Sequence, residues 1–407
     1  MSPLSTTANY SRYALILLLG VNLLNYIDRQ VLYAVFPLIK ADWNLSDTSL
    51  GLLGSAFMIC YMVSAPFFGW LGDRLSRVKL AAKGLIVWSL ATAGAGIAPN
   101  YAALFAARTM VGVGEASFGT VSPGLLADYY SREQRGRVLS FFYLAIPVGS
   151  ALGYLLGGTL GHTFGWHAAF LIVGIPGLLL AVPLWLLKEP AREIRNAEFS
   201  APELHRYSSL LTNKAFVFNT LAMAAMTFAL GGLAQWVPTF LYRMHGLNVA
   251  EANTLFGIIT VIAGILGTLT GGWLGDRYQG KQGAGYATIS GIGFVFGAPI
   301  TAYALFTGNL YGCLIGMFFA EFFLFLNTGP LNTVIINVTG PGIRAMAFAV
   351  NIFFIHALGD AISPAILGWI SDMHDLRTAL LATPFIILLA AVCCFVCARF
   401  IPASKTA

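Results

Sequence analysis

A chain of 407 residues that is 57% hydrophobic and only 10% charged, with a mean hydropathy of +0.76, exposes more apolar surface than a water-soluble domain tolerates. That excludes a soluble enzyme. The net charge of +6 calls for no nucleic acid, because the basic residues fall in short loops between apolar runs, where membrane orientation explains them.

Met1 to Ser11 is short and polar, and the run after it reaches spanning length without a small-residue cleavage site, so no cleavable signal is expected. Apolar runs between polar breaks lie at 12–38, 48–73, 79–98, 101–128, 138–160, 167–187, 214–242, 252–275, 284–306, 309–336, 345–370 and 377–400. Each meets the ~20 residues that cross a bilayer. In lipid such runs must be helices, since open strands would leave peptide groups unpaired. An even number of spans puts both termini on one side. That side holds eighteen Lys and Arg residues against three, Lys40, Arg243 and Arg377, on the other. The expectation is a multi-pass protein of the plasma (inner) membrane with cytoplasmic termini.

In span one, Asn22, Asn25 and Arg29 share a helical face, and Asp28 sits about 100° round from Arg29. Span two ends in Gly69-Trp70-Leu71-Gly72-Asp73-Arg74, and the same six residues recur as Gly272-Trp273-Leu274-Gly275-Asp276-Arg277 at the end of span eight. The chain is therefore two copies of one unit, an arrangement that leaves a substrate path between halves. The expected division is a six-helix bundle over 1–187, a cytoplasmic linker over 188–213 and a second bundle over 214–407. The linker mixes Lys188, Glu189, Arg192, Glu193, Glu198 and Glu203, which suggests an interfacial helix on the cytoplasmic leaflet.

Span four carries Arg108 and Glu115 seven residues apart on one face, about 10.5 Å along the axis. They are too far apart to bond directly, so each looks to another helix or to water, and Glu115 is within reach of a base on span one. Charges at a span centre cost ~2.5–3.5 kcal/mol each on insertion scales. Asp28, Arg29, Arg108 and Glu115 must therefore pair or line a wet cavity. Two readings stay open: buried pairs that glue helices together, or groups that couple protons and substrate.

The second half repeats this in part. Glu321 precedes Pro330 in span ten much as Glu115 precedes Pro123, and Asp360 lies within span eleven. From Ala215 to Tyr242 span seven has no charge before Arg243, so the counterparts of Asp28 and Arg29 are missing. Phe318, Phe319, Phe322, Phe323, Phe325, Phe348, Phe353 and Phe354 suggest an apolar wall there. Glycines recur every fourth residue at 149, 153, 157 and 161, and at 264, 267, 271 and 275 they form a similar stripe, faces that allow close helix approach. Cys393, Cys394 and Cys397 lie within the last span without a second ligand pair. Gly275 to Lys281 fits part of a phosphate loop but lacks the following Ser or Thr and any preceding strand. No metal, no cofactor and no enzymatic activity are expected.

Twelve spans in two sixes with the repeated Gly-Trp-Leu-Gly-Asp-Arg loop resemble the major facilitator superfamily, an all-α membrane fold of two pseudo-symmetric six-helix bundles. Within it, NLLNYIDR at 22–29, APFFGWLGDR at 65–74, VGVGEASF at 111–118, FFYLAIPVGSALGY at 141–154 and LGDAISPAILG at 358–368 are similar to the spinster family of lysolipid and sphingolipid transporters. The resemblance implies alternating-access transport of an amphipathic lipid, a lysophospholipid or a sphingosine-phosphate-like molecule. It implies that Asp28 and Glu115 handle protons, that Arg29 and Arg108, with Asn25 and Tyr26, meet the headgroup, and that Asp73, Arg74, Arg77, Asp276 and Arg277 form the cytoplasmic gate. Glu321 and Asp360 are secondary candidates. The expected partners are the lipid substrate, protons and membrane lipids, with no nucleic acid, and the expected state is a monomer. The alternative is a proton-coupled symporter of a small organic anion or sugar acid.

Overall fold

A computed structural model describes residues 8–190, 210–278, 284–340 and 343–401, and most of the expected linker lies outside these. Among the described residues every regular element is helical. They divide into two compact units: residues 1–196 with 247–257, and residues 197–246 with 258–407.

The first unit holds α1 (Ala8–Ala34), α2 (Phe36–Trp43), α3 (Asp47–Arg74), α4 (Arg77–Ala95), α5 (Tyr101–Ala127), α6 (Arg132–Tyr143), α7 (Ala145–Phe164) and α8 (Trp166–Trp185). Loop residues start these helices by capping. Ser46 accepts from Ser49 N, Ser76 from Lys79 N and Asn100 from Ala103 N, each satisfying an amide that has no partner inside the helix. Two expected spans are broken. Span one stops at Val35 (φ −105°, ψ 8°), two residues before Pro37, and span five stops at Leu144, three before Pro147. A proline ring lacks the N–H that would continue the ladder.

Counted through the short breaks between neighbouring helices, eleven helical stretches among the described residues are long and apolar enough to cross a membrane. The helix over the expected fourth span, α5, has the length, at 27 residues, but falls outside that set. Arg108, Glu115 and its glycines, serines and threonines lower its hydropathy, and many of them are buried inside the unit instead of facing lipid. Outward faces are apolar, as at Leu179, 69% exposed.

The glycine stripe of α7 receives α1. A Cβ at Gly149 would lie 2.9 Å from Leu23 O, at Gly153 2.6 Å from Ile27 O, and at Gly157 2.7 Å from the Ala34 methyl. Only bare backbone lets the two helices approach this closely. Inside the unit Trp88, Phe118 and Phe142 are buried in a row, Trp88 edge to face with Phe118 at 5.7 Å and Phe118 tilted against Phe142 at 6.4 Å.

The second unit holds α9 (Lys214–His245), most of α10 (Val249–Tyr278), α11 (Gly285–Phe306), α12 (Leu310–Phe325), α13 (Thr328–Val338), α14 (Arg344–Ile355), a π-helical turn (His356–Asp360), α15 (Ser363–Met373), α16 (Leu376–Leu380) and α17 (Ala382–Phe400). Its glycine stripe on α10 meets α12. A Cβ at Gly267 would be 3.1 Å from the Phe325 Cβ, and one at Gly264 would be 3.6 Å from the Phe325 ring. Phe323 packs likewise against Gly297 of α11, 3.1 Å away. The expected aromatic wall is thus partly internal packing, and Phe319 and Phe353 are the half-exposed members, at 44% and 49%. Cys393, Cys394 and Cys397 are buried and unbridged.

The α1–α7 contact is directly testable. Gly153→Ala is expected to lower the thermal unfolding midpoint in detergent by the equivalent of ~1–3 kcal/mol, the usual cost of overpacking. Gly94→Ala, with nothing within 4 Å of its Cβ, is expected to be neutral or slightly stabilising. Equal midpoints for the two variants would show that the stripe does not set the α1–α7 distance.

Candidate functional site

The sequence places two acids and two bases on α1 and α5, and the fold turns them toward each other. Arg29 Nε donates to Glu115 Oε2 at 2.8 Å. Arg108 Nη1 donates to Asp28 Oδ1 at 3.1 Å. Both pairs cross from one helix to the other, so the face argument that sent Glu115 toward a base on span one is met by the geometry. The side chains of Arg108 and Glu115 are fully buried, and Arg29 retains 15% exposure.

Residues with no charge complete the site. Thr92 of α4 donates its hydroxyl to Asp28 Oδ2. The Arg29 guanidinium lies over three rings, Tyr26 at 5.0 Å, Phe57 at 5.1 Å and Tyr61 at 4.9 Å, and the Arg108 guanidinium lies 5.4 Å from the same Phe57. Faces of aromatic rings attract cations, the more so without water. Phe57 is thus shared by the two arginines. Gly112 of α5 makes this possible, because a Cβ there would run into the Phe57 carbonyl, and one at Gly119 into the Tyr61 hydroxyl. Asn22 donates to Phe142 O at 3.0 Å and holds α1 against α6.

Hydrogen-bonding capacity remains. Arg108 Nε and Nη2, Glu115 Oε1 and Asn25 Nδ2 are buried without a partner. Unpaired buried polar atoms are rare because each forfeits its hydration. Others are spread through both units, Ser55 Oγ, Gln235 Oε1 and Asn351 Oδ1 among them, but the two on Arg108 are donors of a buried guanidinium and can take an anion's oxygens.

The expected gate residues form two separate arrangements. Arg77 at the start of α4 bonds Asp128 Oδ2 at 2.7 Å and Glu189 Oε1 at 2.9 Å. Glu189 Oε2 also accepts from Ser76 Oγ at 2.8 Å and from Val78 N at 2.9 Å, closing the α4 N-terminus. The first residues of the expected linker therefore belong to the bundle. At the ends of α3 and α10 the two copies of the repeat behave alike: Arg74 lies 4.1 Å over Trp70, and Arg277 lies 5.8 Å over Trp273. Asp73 is exposed, and Asp276 accepts from Tyr286 Oη at 2.7 Å.

The secondary candidates lie apart from this cluster, in the second unit. Glu321 Oε1 accepts from Thr260 Oγ1 at 3.1 Å, and its buried Oε2 has no partner. Asp360 pairs with His356 across one turn at 2.9 Å. Sequence reasoning missed Thr92, Phe57, Tyr61, Asp128 and Glu189. Of these only Asp128 carried a usable signal, as an acid at the end of an apolar run.

Comparison with known proteins agrees with this architecture. A sequence model of the Major Facilitator Superfamily matches residues 18–364. Protein spinster homolog 1 of Xenopus laevis is 36% identical over 395 residues, covering 91% of this chain and 75% of the relative. Its human counterpart is 36% identical over 376 residues, covering 86% and 71%. Protein spinster of Drosophila melanogaster is 33% identical over 385 residues, covering 91% of this chain and 64% of its own length. A solved bacterial homologue of the human lysosomal transporter spinster, in an inward-facing and occupied conformation, aligns with a TM-score of 0.88 at 24% identity over 98% of this chain and 100% of that one. That last likeness speaks to fold alone.

The clamp on α4 has a measurable acid limb. Burial pushes the Glu189 carboxyl up, but the Val78 amide, Arg77 and Ser76 pull it down further, so it sits below the ordinary glutamate value. A depressed folded value means stabilisation that is present above the unfolded pKa of about 4.3 and is lost as pH falls through the folded value. Glu189→Gln is expected to unfold at lower temperature than the parent at pH 7, with the two midpoints converging below about pH 4. A constant gap across that range would remove the carboxylate from the clamp.

Proposed function

The chain belongs to the spinster family of the Major Facilitator Superfamily, and from that premise we propose that it is a proton-coupled transporter of an amphipathic anionic lipid, a lysophospholipid or a sphingosine-phosphate-like molecule, working by alternating access. The observation that carries this reading is the pair of crossed ion bridges, Arg29–Glu115 and Arg108–Asp28, with unpaired donors left on Arg108.

The coupling argument is electrostatic. Protonating Glu115 or Asp28 removes the negative partner of a buried guanidinium. Breaking such a pair from one side costs ~3–5 kcal/mol, because the remaining charge stays buried and uncompensated. A phosphate headgroup restores the balance, since a guanidinium fork matches phosphate oxygens and the free Nε and Nη2 of Arg108 are already available. Proton and anionic headgroup then bind together: the acids take the protons and the lipid takes the arginines. Tyr26, Phe57 and Tyr61 hold Arg29 in place while its partner changes. The excess of basic residues on one set of loops supports cytoplasmic termini in the plasma (inner) membrane. We also propose that the transporter acts as a monomer.

Reconstituted protein is expected to move a labelled lysophospholipid in response to an imposed pH gradient. Glu115→Gln and Asp28→Asn keep shape while removing a proton site, and each is expected to lower gradient-driven transport by at least about tenfold, with binding of the lipid retained. Full gradient response in both variants would end the coupling proposal. Transport of dicarboxylates or sugar acids in place of lysolipid would end the substrate proposal while leaving coupling intact.

A further inference from the structure

A second feature of the first unit lies outside the ion-pair cluster and plays no part in the transport reading. The last turns of α3, the first turns of α4 and the middle of α5 enclose a cavity of about 450 Å³, walled by Phe68, Leu71, Leu80 and Val113, with Lys79 and Lys83 as its charged members. That volume is in the ordinary range for small-molecule sites, which combine apolar walls with a few placed polar groups. The floor is backbone. A Cβ at Gly84 would lie 2.6 Å from Gly114 O, and one at Gly114 2.7 Å from Trp88 N, so α4 and α5 touch below the cavity and leave it open above.

The level of the lysines is set by tryptophans. Lys79 Nζ donates to Trp185 O at 2.8 Å and lies 4.4 Å over the Trp185 ring. On α3, Trp70 is 51% exposed with Arg74 over it. Tryptophans in membrane proteins gather where headgroups begin, so Lys79 sits at headgroup level. Lys83 follows one turn later on the same face and is exposed. The partners of Lys79 are a neutral carbonyl and a ring, and among the described residues neither lysine is in an ion pair. The nearby carboxylate of Glu189 is already taken by Ser76, Arg77 and Val78. Among the described residues, two ammonium groups without a carboxylate partner thus border an apolar slot, Lys79 of them at headgroup depth.

We propose that this cleft between α3, α4 and α5 binds an anionic diacyl phospholipid of the surrounding leaflet, with an acyl chain in the cavity and the phosphate held by Lys79 and Lys83. Basic pockets between membrane helices capture such headgroups because each lysine adds attraction at the lipid surface while the chain gains apolar contact. The long lysine stems lie along the cleft wall and lift their charges to the phosphate.

The test uses the full-length purified protein in a neutral detergent, titrated with phosphatidylglycerol or with phosphatidylcholine of the same chains, and read by native mass spectrometry and by thermal unfolding. The parent is expected to retain phosphatidylglycerol in preference to phosphatidylcholine. Lys83→Gln, at an exposed position, is expected to weaken phosphatidylglycerol binding about fivefold, and Lys79→Gln with Lys83→Gln about 25-fold, with phosphatidylcholine unaffected. Leu71→Trp, which fills the slot, is expected to weaken both lipids, and Lys214→Gln, in the other unit, neither. Arg29→Gln is expected to leave phosphatidylglycerol binding intact; its loss there, with the lysine variants unchanged, would place the lipid in the ion-pair site and overturn the proposal. Equal binding of the two lipids by the parent, or undiminished phosphatidylglycerol binding by the double lysine variant, would overturn it as well.

Discussion

Two guanidinium groups and two carboxylates buried in one helical unit must neutralise each other, because nothing else at that depth will. Removing any one of them from water costs several kcal/mol, and mutual attraction repays it only with hydrogen bonds of good geometry. The crossed arrangement of Arg29 with Glu115 and Arg108 with Asp28 meets this condition. It also fixes how α1 sits against α5, since sliding either helix by one turn would separate both pairs at once. Each acid neutralises one arginine, so a proton on Glu115 or on Asp28 would leave one pair intact and one guanidinium without its partner.

The other side of α1 is held by a contact of a different kind. Gly149, Gly153 and Gly157 of α7 admit the α1 backbone, and that interface contains little a proton or ligand could alter. Helix α1 is thus fastened permanently on one face and conditionally on the other. The same contrast appears at the start of α4, where Arg77, Asp128 and Glu189 make a half-exposed clamp that solvent partly screens. Energy sensitive to protonation is concentrated in the dry cluster, where each charge has few alternatives.

Much of this was legible in the sequence, for reasons that can be traced to particular residues. Charges inside apolar runs identified Asp28, Arg29, Arg108 and Glu115, and helical angles pointed Glu115 at α1. The aromatic partners were not legible: Phe57 and Tyr61 lie in a span full of apolar residues, and nothing local distinguishes a ring beneath a guanidinium from one facing lipid. Thr92 was hidden in the same way. Helix breaks were only partly readable, because Pro66, Pro123, Pro176, Pro238 and Pro299 sit inside continuous helices, whereas Pro37 and Pro147 follow breaks. Neighbouring helices decide which freed carbonyls are satisfied. Glu189 was obscured by its company, since a carboxylate at the head of a mixed-charge stretch looks like linker until the fold sets it on the α4 terminus.

The internal repeat adds a last step. Both copies of the six-residue repeat form the last turns of a helix and place an arginine over the tryptophan four residues before it, so these helix ends are built alike in the two units. The interiors differ. The first unit balances two acids with two bases, while in the second Glu321 has a threonine for its partner and a free oxygen, and Asp360 has a histidine. A buried acid with no fixed cation has no anion-binding arginine to release, so protonating Glu321 would set no guanidinium free for a headgroup. On the proposed mechanism, exchange between proton and anionic headgroup would belong to the first unit, because Glu321 and Asp360 face a threonine and a histidine where Glu115 and Asp28 face arginines.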